Sequence, residues 1–245
     1  MSKEEFQYVL NSIEGKTKNI YYHLMGEPLL HPELPAFMVM AKERGLRSLI
    51  TTNGTLLKSR GDELLASGLY KINISLHSFE GNDKQAQEKY LLEVVDFAKK
   101  GVAQGVIVVL RLWNKGADDG KNQSIIDFLK RHLEGVWEEN ERGIKIANRL
   151  HIEWGERFEW PDISLEEGGD DIFCYGTRDH IGILADGTVV PCCLDSEGEI
   201  NLGNLFDTPL TDIINSPRAL AIKHGFGIRR AREELCKRCP YARKF

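Results

Sequence analysis

The chain has 245 residues, 42% of them hydrophobic, and a formal net charge of −5 at pH 7. This length allows one large domain, or one domain with a small appendage, and a sizeable buried core. The acidic balance argues against a protein built mainly to hold nucleic acid. The opening Met-Ser-Lys-Glu-Glu is no signal region, and the most apolar run, Val106 to Trp113, contains Arg111. The sequence therefore predicts a cytoplasmic protein without a membrane segment.

Helical and strand patterns alternate through the first two thirds of the chain. The predicted helices are Lys3 to Ile13, Glu33 to Arg44, Leu57 to Ser67, a segment through Tyr90 to Gly101, and Ile125 to Leu133. The predicted strands are Ile20 to Met25, Ser48 to Thr52, Lys71 to Leu76, Val106 to Leu112 and Arg149 to Trp154. This alternation is typical of βαβ units and a parallel sheet. Five strands are too few for a closed eight-stranded barrel.

The alternation stops after Trp154. Residues 156–171 are acidic and end in Gly-Gly-Asp-Asp, which predicts a linker or cover loop. The stretch from Ile181 to Cys192 has apolar alternation around Asp186-Gly187, the pattern of a hairpin with a two-residue turn. A further helix is predicted over about Leu210 to Lys223.

All five cysteines lie in this last third of the chain. They are Cys174, Cys192, Cys193, Cys236 and Cys239. Two thiolates spaced as C-x-x-C can bind one metal centre, and two more from a hairpin would complete a four-sulfur shell. Disulfides suit small secreted domains, and nothing in the chain suggests secretion. Zinc and iron–sulfur clusters both accept four thiolates, so ligand type leaves both open. Disulfides and inert buried thiols are the remaining alternatives.

Polar residues collect where the predicted strands end. Parallel α/β sheets bind ligands at the carboxyl ends of their strands. The residues concerned are His23 with Gly26-Glu27-Pro28, Thr51 to Thr55, Ser75 to Ser78, Arg111 to Asn114 and Glu153 to Glu156. Ordinary turns and core histidines would explain each item alone. Arg111 within a β-prone run needs an anionic partner, which a ligand carboxylate, Glu27 or Glu153 could provide. Together these residues predict a polar pocket at one rim of the sheet.

With these motifs, the sequence resembles a radical S-adenosylmethionine (radical SAM) enzyme with a C-terminal SPASM/Twitch auxiliary-cluster module. Gly26-Glu27-Pro28 resembles the GEP motif of the family, and Thr51-Thr52-Asn53-Gly54 resembles its following strand end. Cys174 and the Gly187-x4-Cys192 spacing resemble the opening signature of the module, and Cys236-x2-Cys239 its later pair.

The resemblance implies an α/β fold with two parts. Residues 1–157 would form a partial (β/α)6-type TIM barrel without its first βα unit, and residues 158–245 a small α+β SPASM/Twitch domain. S-adenosylmethionine would be bound by Gly26, Glu27, Pro28, Asn53, Ser75 and Arg111. An auxiliary 4Fe–4S cluster would be bound by Cys174, Cys192, Cys236 and Cys239, near the basic Arg238. Cys193 has no counterpart in the signature.

Two departures from the family pattern modify this expectation. The family binds its S-adenosylmethionine-cleaving 4Fe–4S cluster through C-x3-C-x2-C, and no cysteine precedes Cys174. We therefore expect an N-terminally truncated sequence, with that cluster present only in a full-length form. No further cysteine follows Cys239, which favours a single-cluster Twitch module.

The resemblance also implies the chemistry. A complete enzyme would cleave S-adenosylmethionine to a 5′-deoxyadenosyl radical and act as an oxidoreductase or as a peptide- or small-molecule-modifying enzyme. It would take electrons from a partner such as flavodoxin or ferredoxin, and the printed chain would not start the reaction unaided. The alternatives are a non-catalytic iron–sulfur electron-transfer or binding protein and a zinc-stabilised α/β binding protein.

Overall fold

The computed structural model describes residues 1–78, 83–117 and 120–244, which form two compact units. The sheet unit consists of Thr17–His23 and Glu27–Arg157. The cysteine unit consists of Met1–Lys16, Leu24–Gly26 and the residues from Phe158 onward. No helix in the described ranges is both long and apolar enough to cross a membrane.

A seven-stranded sheet forms the centre of the sheet unit. Its strands are β1 (Asn19–Tyr21), β2 (Arg47–Thr52), β3 (Leu69–Ser75), β4 (Ile107–Lys115), β5 (Glu138–Asn140), β6 (Gly143–Ala147) and β7 (Leu150–Glu156). They lie in the order β1-β2-β3-β4-β7-β6-β5. The first five strands of that order are parallel, whereas β6 and β5 are antiparallel to their neighbours.

Four helices of the sheet unit connect these strands. They are α2 (Leu34–Glu43), α3 (Leu57–Ala66), α4 (Lys84–Ala103) and α5 (Lys121–His132). Each has apolar residues at helical spacing that are buried, as Tyr90, Val94 and Phe97 are in α4. The N-cap of α4 is Asp83, whose side chain accepts a hydrogen bond from the Gln85 amide. The helices and the sheet therefore share one hydrophobic core.

The two faces of the sheet differ in chemistry because successive side chains of a strand point to opposite faces. Ile72 and Ile74 of β3 and Leu110 of β4 are fully buried in the core shared with the helices. The alternate residues form a second face, which we call the polar face. It carries Thr51, Lys71, Asn73, Ser75, Arg111, His151 and Glu153.

The five predicted strands and the parallel sheet are confirmed, with differences at the ends. Strand β1 stops at Tyr21, whereas the apolar pattern predicted a strand to Met25. The antiparallel strands β5 and β6 were not predicted. The residues of β5, Glu138–Asn140, are all exposed and show no apolar alternation, whereas β6 does alternate, with Ile144 and Ile146 buried. The residues of β5 form a strand only because they pair with β6.

The cysteine unit begins with α1 (Lys3–Ile13), as predicted, with Ser2 and Glu5 forming a capping box. Its other elements are β8 (Gly182–Ile183), β9 (Thr188–Val190), β10 (Gly203–Asn204), α6 (Leu210–Ile214), α7 (Pro217–Gly227) and α8 (Glu234–Lys237). The strands form an antiparallel sheet in the order β10-β9-β8. The predicted hairpin is confirmed, but its turn consists of residues 185–187 rather than of Asp186-Gly187 alone, because the Leu184 amide donates to the Thr188 carbonyl. Gly187 has the positive φ, 89°, that the turn requires.

The single helix predicted over Leu210 to Lys223 was wrong, because the structure has two. Helix α6 ends at Ile214, and Ser216 caps α7 by accepting a hydrogen bond from the Ala219 amide. Pro217 is the first residue of α7, a position where its missing N–H costs nothing. Within a continuous helix the same proline would remove a backbone hydrogen bond, so the chain restarts instead.

Candidate functional site

The Glu27 carboxylate connects the segment after β1 with the end of β2 through hydrogen bonds. Its Oε1 accepts hydrogen bonds from the Thr52 hydroxyl at 2.7 Å and from the Leu29 amide at 3.0 Å. Its Oε2 accepts one from the Asn53 amide at 2.8 Å. Because the carboxylate is engaged by donors of the chain, it positions the loop after β2 against the segment that follows β1.

The residues beside Glu27 and the loop after β2 have well-defined conformations. Gly26 is exposed and has φ 84°, in the left-handed region, and Pro28 starts a 3₁₀ turn, Pro28–Leu30. In the loop, the Asn53 carbonyl accepts a hydrogen bond from the Tyr90 hydroxyl at 2.7 Å. Burial raises the pKa of Tyr90, so this hydroxyl keeps its proton. The loop is therefore held by Glu27 from one side and by Tyr90 from another.

Arg111 lies beside Ser75 on β3 and Glu153 on β7 in the register of the sheet. Its Nε is 3.0 Å from Glu153 Oε2, and its guanidinium lies 4.3 Å from the centroid of the Trp113 ring. Of the anionic partners proposed from the sequence, the structure thus selects Glu153. The predicted residues of the rim, apart from Gly26, all belong to one sheet unit, and the ends of its parallel strands place them at the same edge.

Two histidines of this edge are neutral at pH 7. Burial, and then the nearby Arg111 charge, lower the pKa of His23 to about 4. Burial also lowers the pKa of His77. His23 Nδ1 accepts a hydrogen bond from the Thr51 amide at 3.3 Å, and His77 Nδ1 is 3.2 Å from the Trp113 amide nitrogen. Both neutral rings therefore accept hydrogen bonds from backbone amides of the strands. The charged side chains beside them are Arg111 and Glu153.

The polar face continues below this edge with residues that the sequence analysis did not single out. The Asn73 amide donates to the Thr51 hydroxyl at 3.0 Å, whereas the buried Asn73 Oδ1 is without a hydrogen-bond partner in the described structure. Lys71 lies two residues earlier on the same strand face. The signal that could have revealed them is the alternation Lys71, Asn73, Ser75 on a strand whose intervening residues are all isoleucine.

The cysteine unit brings its thiols into one neighbourhood. Electrostatic interactions link the Cys236 thiol to the thiols of Cys192, Cys174 and Cys239. Cys193 also interacts with Cys174, but its residue is exposed. Cys192 lies just after strand β9 of the hairpin. Cys236 lies in helix α8, and Cys239 follows shortly after the end of that helix. The four cysteines of the predicted ligand set therefore converge from three distant parts of the chain.

Burial raises the pKa of three of these thiols. The pKa of Cys192 rises to about 12, and those of Cys236 and Cys239 rise as well. Without a metal the thiols keep their protons, and a bound metal centre would displace them. The surroundings suit such a centre, because N–H groups already point at the sulfurs. The Gly176 amide lies 3.4 Å from Cys174 Sγ.

Further N–H donors act on the other sulfurs and lower the pKa of their thiols. Those at Cys192 come from Leu194 and Asp195, and those at Cys239 from Ala242 and Tyr241. Such hydrogen bonds stabilise negative charge on sulfur, as thiolate ligation requires. The donor set therefore fits a thiolate-bound metal centre.

The thiols do not form a compact site for a single ion. Within residues 1–78, 83–117 and 120–244, no group of three or more His, Cys, Asp or Glu side chains is placed so that it could hold a metal ion. This finding and the thiol interactions are compatible, since Coulomb interactions reach further than coordination bonds. The thiols are therefore neighbours within electrostatic range rather than a preformed coordination shell.

The cation beside the thiols differs from the one expected. Arg238 donates to the Leu165 carbonyl at 3.0 Å and pairs with Glu234. The positive charge that lowers the pKa of Cys239 is that of Arg243. Arg243 belongs to the basic residues at the end of the chain and follows Cys239 closely in sequence, so its charge lies near this thiol.

Comparison with known proteins relates the chain to known families. The family model of SPASM, an iron–sulfur cluster-binding domain, matches residues 174–240. GTP 3′,8-cyclases of Staphylococcus aureus also match, with 31% identity over 119 residues for strain Mu3 / ATCC 700698 and 30% for strain JH9. Together these matches support the resemblance to a radical SAM/SPASM protein. Each cyclase match covers 44% of the chain and 34% of the cyclase, so the chain spans about a third of the length of those relatives.

Solved structures share the fold of this chain. The crystal structure of BtrN in complex with AdoMet and 2-DOIA matches with a TM-score of 0.57 and 16% identity, covering 98% of the chain and 80% of BtrN. Histidine-tagged anSMEcpe with bound AdoMet matches with a TM-score of 0.57 and 14% identity, covering 97% of the chain and 76% of anSMEcpe. At these identities the likeness concerns the fold.

Proposed function

We propose that this chain binds S-adenosylmethionine at the carboxyl edge of its parallel sheet and an auxiliary 4Fe–4S cluster at Cys174, Cys192, Cys236 and Cys239. It would serve in a radical SAM oxidoreductase or in an enzyme that modifies peptides or small molecules. The observation that carries the proposal is the convergence of the four thiols, each buried or partly buried, within a segment that matches an iron–sulfur domain.

The cofactor edge would use residues in different roles. The Gly26-Glu27-Pro28 turn would receive the amino group of S-adenosylmethionine, while the Glu27 carboxylate holds the turn and the Asn53 loop in place. Ser75 and Arg111, side by side in the sheet, would contact the carboxylate and ribose. Arg111 remains a cation over the whole working pH range, so it can attract a carboxylate although Glu153 already pairs with it.

The cluster site would use the four thiols as ligands and the backbone N–H groups as stabilisers of the thiolates. When bound, the cofactors supply hydrogen-abstracting radical chemistry and electron transfer. The chain contributes the N–H donors and the Arg243 charge, which favour the more negative state of the site and raise its potential. Flavodoxin or ferredoxin remains the proposed reducing partner.

The architecture implied by the resemblance is also part of this proposal. Five parallel strands with helices packed on one face and polar side chains on the other are typical of the wall of a barrel. We therefore propose a partial (β/α)6-type barrel for residues 1–157 and a SPASM/Twitch domain for residues 158–245. The compact units of the structure differ from this division in one respect, because helix α1 belongs to the cysteine unit.

The experiment is anaerobic reconstitution of the full chain, followed by iron, sulfide and zinc analysis and by equilibrium dialysis with labelled S-adenosylmethionine. The proposal expects iron and sulfide in equal amounts, and binding that is weakened at least tenfold by Arg111→Gln. Arg149→Gln, at the residue just before β7, is a control outside the cofactor edge. Zinc without sulfide would select a zinc-stabilised protein. A cluster without binding of S-adenosylmethionine would select the non-catalytic iron–sulfur protein.

A further inference from the structure

A cleft opens on the polar face of the sheet unit, beside the antiparallel strand β6. Its volume is about 210 Å³. The lining includes Lys71, Val109, Arg142, Lys145, His151 and Glu153. These residues come from four neighbouring segments of one sheet, and none belongs to the residues proposed to bind S-adenosylmethionine.

The charge of this cleft is predominantly positive. Lys71, Arg142 and Lys145 are cationic, whereas Glu153 is the one acidic residue among those that line it. Glu153 is already paired with Arg111 through a 3.0 Å contact. Lys145 forms a longer contact, 3.7 Å, with Glu138, and both side chains are about half exposed or more. An ion pair of this kind contributes little and leaves Lys145 available.

Lys71 is a partly buried cation that the nearby Glu153 compensates only in part. It is half-buried, and burial and the nearby Arg111 charge lower its pKa, against a raising effect of Glu153. Within the described part of the chain, its ammonium makes no hydrogen bond or ion pair. A cation removed from water in this way gains stability from an added anion.

The neighbouring residue of the same strand face gives an independent observation. Asn73 is 2% exposed, and its Oδ1 accepts no hydrogen bond from any described residue. Buried acceptors are nearly always paired with protein or with an ordered molecule. The polar face at Lys71 and Asn73 is thus not completed by the side chains of the sheet unit itself.

We propose that this cleft binds a carboxylate or phosphate group of the substrate, with Lys71 as the principal cation and Lys145 and His151 beside it. Whole small-molecule ligands occupy pockets of roughly 300–1,000 Å³. A cleft of about 210 Å³ therefore suits one anionic group while the rest of the molecule extends along the polar face towards the Arg111 edge. The inference rests on the proposed function only in assigning the anion to a substrate.

The test is a titration of the full, reconstituted chain with inorganic phosphate and, separately, with succinate, at constant ionic strength. Ring resonances of His151 and the amide resonance of Gly143 report on the cleft in NMR spectra. We expect saturable shifts of these resonances with at least one of the two anions. Which anion binds more tightly distinguishes a phosphate-bearing from a carboxylate-bearing substrate.

The matched variants are Lys71→Gln and Lys89→Gln, because Lys89 is an exposed lysine of α4 outside the cleft. Lys71→Gln should weaken binding at least tenfold, Lys71→Arg should restore most of it, and Lys89→Gln should have no effect. Unchanged urea unfolding midpoints would show that the variants are folded. Equal weakening of anion binding by Lys71→Gln and Lys89→Gln would overturn the proposal, because it would indicate nonspecific binding of anions to the protein surface. The absence of a saturable shift with either anion would also overturn it.

Failure of this inference is distinguishable from failure of the proposed function. Binding of S-adenosylmethionine is measured with the same samples and depends on Arg111 rather than on Lys71. If the anions bind and S-adenosylmethionine does not, the cleft remains and the assignment to a radical SAM reaction falls. If S-adenosylmethionine binds and neither anion does, the cleft proposal alone is wrong.

Discussion

Replacement of Glu27 by glutamine tests whether this carboxylate positions the cofactor edge. The carboxylate accepts three hydrogen bonds, from the Leu29 amide, the Thr52 hydroxyl and the Asn53 amide. A glutamine amide has one oxygen, so the oxygen that replaces Oε1 can keep its two donors. The other position becomes an NH2 group facing the Asn53 N–H. Hydrogen bonds to charged groups are worth about 1.5–3 kcal/mol each, and one is lost here.

We therefore expect Glu27→Gln to lower the free energy of unfolding of the sheet unit by about 2 kcal/mol, and Glu27→Ala by about 4 kcal/mol. For a chain of this size, the glutamine variant should lower the Tm by about 4–8 °C. Tryptophan fluorescence during urea unfolding is the assay. Trp113, Trp137 and Trp154 belong to the sheet unit, so the signal reports mainly on it.

Two variants complete this experiment. Glu88→Gln changes an exposed glutamate of α4 and should leave the unfolding midpoint unchanged. Thr52→Val removes one donor to Glu27 without altering the motif, and it should lower the affinity for S-adenosylmethionine together with the stability. The reasoning is refuted if Glu27→Gln and Glu88→Gln unfold at the same urea concentration. A Thr52→Val protein with full stability and full affinity would refute the positioning role.

Three further predictions concern the metal site, the crowded loop and acid stability. Cys236→Ala should abolish the cluster absorbance at about 400 nm after anaerobic reconstitution, and Cys193→Ala should keep it; the reverse result would contradict the ligand assignment. Gly54→Ala should cost at least about 1 kcal/mol more than Gly105→Ala in urea unfolding, because both have positive φ but only the Gly54 Cβ would meet other atoms within 4 Å, at 2.9 Å. The pKa of His23 is lowered to about 4, so its stabilising contribution is present above pH 6.5 and is lost as pH falls towards 4. A His23→Gln variant should lose less stability than the parent between pH 7 and pH 5, and equal losses in urea unfolding would show that His23 is not responsible.

Local patterns account for the part of the structure that was predicted correctly. The five parallel strands follow from apolar runs separated by amphipathic helices, and the position of the hairpin follows from the Asp186-Gly187 pair and the apolar residues around it. The assignment of four cysteines as metal ligands stays a prediction, and electrostatic interactions link their thiols. The strands and the hairpin depend on residues close together in the chain. The metal prediction depends on cysteines, which occur only in its last third.

Pairings between distant residues were decided only by the tertiary structure. The partner of Arg111 is Glu153 because β7, and not a neighbouring segment of the chain, lies beside β4. Among the described residues, the Asn73 Oδ1 acceptor is left without a hydrogen bond for the same kind of reason. Periodicity determines which face a side chain occupies, but strand order and register determine what it meets there.

The antiparallel strands and the cleft show this division most clearly. The residues of β5 carry no strand pattern, and they become a strand through pairing with β6. The pairing of β6 with β7 places Lys145 next to His151 and within the same cleft as Lys71. From its sequence alone, the chain specifies a parallel sheet, a polar edge and four thiols. The positive cleft exists because folding brings separate charges to one face and removes them partly from water.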